Sequence, residues 1–149
     1  LVDPDNRRPV DFDVRREYLS RIDRGWLPAV DETGAAKLLV TSRALRLRRD
    51  HPDWFSRYLP VPAYGAAADH VVAFDRGDAV TVATRLPLGL EAAGGWADTT
   101  LEIAGRSWID TLTGERHRGG SVRLADLLRQ YPVALLVADE FDDNRAMGD

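Results

Sequence analysis

Apolar positions recur at helical spacing in the first part of the chain and at strand spacing in the rest. Val14, Tyr18, Leu19 and Ile22 fall at near-helical intervals among charged residues, which predicts a short amphipathic helix over 13–24, closed by Gly25. A second helix is predicted to start at Thr33 or Gly34 and run to Arg49, with Ala35, Leu38, Leu39, Ser42 and Leu45 on its buried face. Asp31, Glu32 or Thr33 would supply its cap. Its last turn carries Arg46, Arg48 and Arg49, cations that suit the exposed carbonyls of a helix end; with Arg43 they read as a solvated face before a ligand site. Asp50-His51-Pro52-Asp53 breaks the helix, and Trp54, Phe55 and Tyr58 look like a short hydrophobic cover.

From Leu59 the texture changes. Leu59-Pro60-Val61-Pro62-Ala63-Tyr64-Gly65 cannot be helical and marks the boundary between a helical and a β part. Short β-rich runs follow at 70–74, 79–86, 99–103, 107–110, 121–124 and 133–138. Asp75-Arg76-Gly77-Asp78 reads as a hairpin turn, and Thr113-Gly114 with Gly119-Gly120 as another reversal. Runs of this kind without helices between them predict an antiparallel sandwich, the one exception being a helical turn within 124–130. Residues 139–149, opening with four acidic residues in five, read as a disordered tail.

Composition narrows the class. A chain of 149 residues, 44% hydrophobic, can hold one cored domain or a small domain with a remnant of another. It is too short for a (β/α)8 barrel, which takes about 250 residues. Residues 1–60 carry 12 cationic against 10 acidic side chains and residues 61–149 carry 8 against 14, so neither half has the basic excess that binding nucleic acid requires. Lys37 is the sole lysine. With no cysteine there are no disulfides or thiolate metal sites, and no apolar run approaches the roughly 20 residues of a membrane span. A soluble cytoplasmic protein is the default expectation.

Candidate chemistry is sparse. His51, His70 and His117 sit in a helix break, a strand start and a Gly-flanked loop, and none pairs with another at metal-ligand spacing, so no zinc site is assigned. There is no phosphate-binding glycine loop and no nucleophile elbow. Trp96 and Trp108 leave two readings open: an indole face that stacks on glucose, or core and core edge. The opening run Leu1-Val2-Asp3-Pro4-Asp5-Asn6-Arg7-Arg8-Pro9-Val10-Asp11 is a rigid polar loop, because each proline fixes its own φ and biases the preceding residue away from the helical region. Carboxylate and amide oxygens with guanidinium forks can read sugar hydroxyls, and they can equally tie an ordinary turn together.

That loop, the helical stretch 35–48, and then Asp69-His70-Val71, Ala79-Val80-Thr81-Val82-Ala83-Thr84-Arg85-Leu86-Pro87, Gly94-Gly95-Trp96-Ala97-Asp98-Thr99 and Tyr131-Pro132-Val133-Ala134-Leu135-Leu136 together resemble the C-terminal part of the maltooligosyl trehalose synthase family, from Leu1 to about Val137. The family is of the α-amylase type. The resemblance implies an α+β segment in which residues 1–58 are the C-terminal helices of a (β/α)8 barrel and residues 59–138 an antiparallel β-sandwich like the amylase C-domain. It implies an enzyme that turns the reducing-end α-1,4 bond of a maltooligosaccharide into an α,α-1,1 bond, with the rest of the barrel upstream as partner and no cofactor. Asp3, Asp5, Asn6, Arg7 and Arg8 would lie at the barrel mouth as substrate-binding residues, and the catalytic carboxylates would all lie upstream. The other readings are a different amylase-type hydrolase and a non-catalytic glucan-binding or structural β-sandwich module.

Overall fold

A computed structural model describes residues 10–139, which form an α+β chain with an antiparallel sheet. The described residues divide into two compact units, one up to Ser42 and one from Arg43 on.

In the first unit, α1 (Phe12–Asp23) is capped by Asp11, whose carboxylate accepts from the backbone N–H groups of Asp13 and Val14 at 3.1 and 3.0 Å. Ile22 is fully buried and Val14, Tyr18 and Leu19 are half-buried, the face the periodicity predicts. Gly25, at φ +92°, turns the chain so that Trp26 folds back: its ring lies 5.7 Å from that of Tyr18 and under the Arg21 guanidinium at 3.7 Å. Helix α2 (Ala35–Asp50) starts behind Thr33, whose hydroxyl accepts from Ala35 N–H at 3.2 Å. Ala35 and Leu39 are buried, but Leu45, expected on the same face, is 62% exposed. At 100° per residue Leu45 lies about 120° around the axis from Leu39, so the helix turns it to solvent.

The second unit is built on one curled sheet. Its strands are β1 (Leu59–Pro60), β2 (Ala63–Tyr64), β3 (Val71–Asp75), β4 (Ala79–Thr84), β5 (Thr100–Asp110), β6 (Arg116–Arg123) and β7 (Val133–Ala138). The order is β1-β3-β4-β7-β5-β2, with β6 on β5, and every pairing is antiparallel. Asp75 to Asp78 is the expected hairpin turn: the Asp75 carboxylate accepts from Gly77 N–H, and Gly77 sits at φ +118°.

Three expectations are corrected. The runs at 99–103 and 107–110 are a single strand, β5, interrupted by a register shift between Ile103 and Ser107. Gly119 and Gly120 accordingly lie inside β6 and not in a turn; a Cβ on Gly119 would stand 1.8 Å from the Ala104 carbonyl oxygen, so only glycine lets β6 pass the bulge. The sheet is also not free of helices. Pro87 opens α3 (Pro87–Ala92), where its missing N–H costs nothing, and α4 (Leu124–Leu127) is the expected turn before β7.

The core lies on one sheet face. Ala73, Val80, Val82, Leu101, Ile103, Trp108, Val122, Ala134 and Leu136 alternate inward and meet Leu124, Leu127 and Leu128, with Val61, Ala63, Val71 and Trp96 packed at the rim. Thr99, fully buried, accepts from Ala67 N–H at 3.0 Å and binds the 65–68 turn to the start of β5.

The bulge offers a paired test of this packing. Gly119→Ala should destabilise the chain by about 1–3 kcal/mol or prevent folding, because the overlap is with backbone. Gly105→Ala, where nothing lies within 4 Å, should cost less than about 1 kcal/mol. Urea unfolding of the two variants checks the contrast.

Candidate functional site

Two features combine burial with polar or cationic groups. The first is Asp110, at the inner end of β5 and 2% exposed. Its Oδ1 accepts from the backbone N–H groups of Leu112 and Leu135, each at 3.1 Å, and its Oδ2 accepts from the Thr113 hydroxyl at 3.0 Å. Thr113 in turn accepts from Glu115 N–H at 3.1 Å, so one carboxylate closes the β5–β6 turn and ties it to β7. Three donors, all from the protein's own turn and strand, hold it in place as a structural anchor. Buried Tyr131 stands nearby; burial first, and the Asp110 charge second, push its phenol above the ordinary range. The other buried carboxylate among the described residues, Asp139, pairs with Arg116 at 2.9 Å and donates its backbone N–H to the Ser107 carbonyl.

The second feature is a groove of about 330 Å³ lined by Ala44 and Arg48 of α2, by Phe55 and Tyr58, and by Phe74, Arg76, Thr81 and Leu135. Its floor follows from register. Phe74 pairs with Thr81 and Thr81 with Leu135, so the three stand in a row across β3, β4 and β7 on the sheet face turned away from the core. Its wall is aromatic: the Tyr58 and Phe74 rings stack at 5.0 Å, and the Arg48 guanidinium lies 5.8 Å from the Phe55 ring centroid. Arg76 donates to the Phe55 carbonyl. Among the described residues no carboxylate and no histidine lines it, and those that do suit a seat for an apolar and anionic group. A second recess of about 290 Å³, lined by Arg15, Gly34, Lys37, Leu38 and Thr41, lies in the first unit.

The residues singled out in the sequence fall as follows. Asp3, Asp5, Asn6, Arg7 and Arg8 lie outside the described residues, as does the tail from 140. Trp108 is 1% exposed in the core, its indole N–H donating to the Ala104 carbonyl at 3.0 Å, and Trp96 packs half-buried against the core rim. The sugar-stacking reading of Trp108 is thereby corrected: its indole faces are enclosed. His51 stacks on Trp54 at 3.9 Å, His70 lies against Gly89, and His117 pairs across from Trp108. Among the described residues no three His, Cys, Asp or Glu side chains gather as a metal site, and no helix is long and apolar enough to cross a membrane. The groove went unseen in the sequence because its members come from five separate stretches. Asp110 did carry a signal, an Asp three residues before Thr-Gly, the pattern of a side chain that caps its own turn.

Asp110→Ala should leave two backbone N–H groups and a hydroxyl without their acceptor, a loss of about 3 kcal/mol or more, visible as a lowered urea midpoint. Tyr131 gives a pH test. A tyrosine in the unfolded chain ionises near pH 10.0, whereas the folded chain keeps its proton to higher pH. Its contribution is therefore complete below pH 10 and lost as pH rises through the folded value. Tyr131→Phe should flatten the fall in melting temperature as pH rises above 10.

No family model matches the sequence. Curated proteins from two strains of Mycobacterium tuberculosis, both named maltooligosyl trehalose synthase, are 45% identical over 142 residues, 93% of this chain and 17% of their own length. The solved structure of maltooligosyltrehalose synthase from Arthrobacter ramosus matches with a TM-score of 0.87 and 61% identity, over 93% of this chain and 18% of that one. A solved glycosyltrehalose synthase, 23% identical, has the same fold over 93% of this chain and 16% of its own, with a TM-score of 0.65. The chain thus spans less than a fifth of the length of the relatives it matches. It is a homologue of a C-terminal segment of the maltooligosyl trehalose synthases.

Proposed function

We propose that this chain is the C-terminal part of an enzyme of trehalose biosynthesis that converts the reducing-end α-1,4 linkage of a maltooligosaccharide into an α,α-1,1 linkage by intramolecular transglycosylation. The observation that carries this is identity of 45–61% over 93% of the chain to proteins that bear the synthase name. That identity runs through both the helical and the β part, which favours a segment of a synthase over a free-standing glucan-binding module.

In this reading residues 1–58 complete a catalytic (β/α)8 barrel and residues 59–138 are its sandwich domain, comparable to the amylase C-domain, in a cytoplasmic enzyme. Support comes from the surface of the first unit. Phe12 at 66% and Val30 at 62% are large apolar side chains open to solvent, the sort of surface a barrel body would cover. Two carboxyl groups about 5–5.5 Å apart must flank the scissile bond of a retaining mechanism, and they belong to the upstream barrel. The part left to this chain is positioning. Asp3, Asp5, Asn6, Arg7 and Arg8, on a Pro-bracketed loop at the barrel mouth, would hold sugar hydroxyls and keep water from the glycosyl-enzyme while the released glucose turns.

The isolated chain should form neither a trehalose-ended product nor glucose from maltopentaose. In the full-length protein, Arg7→Ala or Arg8→Ala should lower kcat/KM for transfer by about ten- to a hundredfold, the loss of a charge-assisted hydrogen bond worth about 1.5–3 kcal/mol. Hydrolysis should rise relative to transfer at unchanged melting temperature. Kinetics identical to wild type in both variants would exclude the loop from the site.

A further inference from the structure

Across β3, β4 and β7 the sheet of the second unit is apolar on both faces. Its inner face is the core. On the opposite face Pro60, Phe74, Thr81 and Leu135 form one cross-strand row, and Val72, Ala83 and Val133 form the next. No charged side chain stands in either row. An antiparallel sheet with one solvated face normally alternates apolar and polar residues, so a second apolar face calls for a cover. Within the second unit that cover comes from Ala44 and Arg48 of α2 and from Phe55 and Tyr58, and it stops at the 330 Å³ groove. Tyr58 in its wall and Val72 on the sheet beyond it remain 55% and 42% exposed.

Charge marks what belongs there. Arg48 and Arg76 both line the groove, and among the described residues neither has a carboxylate partner, whereas neighbouring Arg49 pairs with Asp50 and Arg57 with Asp75. Two guanidiniums over an apolar floor complement an acidic side chain presented beside apolar ones. The relatives supply the candidate, since more than four-fifths of their length lies outside the matched segment.

We infer that the groove and the apolar face beside it are the seat for the enzyme body upstream of this chain, which lodges an apolar side chain against Phe55, Tyr58 and Phe74 and a carboxylate between Arg48 and Arg76. The inference rests on the reading of the chain as the C-terminal part of a longer synthase. It makes the groove an anchor between the sheet and the catalytic body, and not a sugar subsite.

A photo-crosslinking residue decides it. p-Benzoylphenylalanine placed at Tyr58 of the full-length protein, irradiated and mapped by mass spectrometry, should join to a peptide upstream of Leu1 that contains Asp or Glu. The double variant Arg48→Glu, Arg76→Glu should reduce that crosslink at least fivefold and speed proteolysis within 59–65, with the sheet retained by circular dichroism. Crosslinks confined to residues 1–149, or joining two copies, would overturn the inference, and so would an undiminished crosslink after charge reversal. Assay of the wild-type protein for trehalose-ended product tests the underlying reading separately, because crosslinking does not depend on turnover.

Discussion

Strand β5 must serve β2, β6 and β7 with eleven residues, and the rest of the sheet depends on how it bends. Its first residues pair with β2, its last with β7, and β6 follows its other edge along both parts. A straight strand would hold one neighbour along that edge. The bulge between Ile103 and Ser107 re-aims the strand, and Gly119 lets β6 come close enough to follow. The same bend brings the indole N–H of Trp108 to the Ala104 carbonyl, so the largest core side chain also satisfies a carbonyl that the bulge removes from the regular ladder.

Asp110 secures the far end of that strand. A buried carboxylate is tolerated where hydrogen bonds replace its hydration, and here two backbone amides and a hydroxyl do so. The most enclosed acidic group among the described residues is thus held by the backbone it organises. Its donors come from the turn and from β7, and removing it would loosen the junction of three strands before it touched any chemistry.

The outer sheet face obeys the same physics with a different outcome. Inside, apolar residues meet α4 and the strands' own neighbours. Outside, the end of α2 and the aromatic residues after it cover part of the face and leave two arginines without a carboxylate among the described residues. Burial of apolar area favours association wherever a matching surface exists, and fixed charges then select which surface.

Periodicity and turn residues placed α1, α2, the hairpin at Asp75 to Asp78 and the short turn before β7, because each is set by contacts a few residues apart: a capping side chain, a glycine at positive φ, apolar residues one turn apart. Ordered motifs likewise carry the resemblance to the maltooligosyl trehalose synthases. Register, and everything register creates, was decided only by the tertiary structure. Gly119-Gly120 looks like a turn until β5 is seen to bulge beside it, Leu45 looks buried until the helix axis is fixed, and Phe74, Thr81 and Leu135 become a groove floor only once β3, β4 and β7 are paired. Those relations join residues 7 to 54 positions apart, and a pattern read along the chain carries the period of each strand but not its offset against the next.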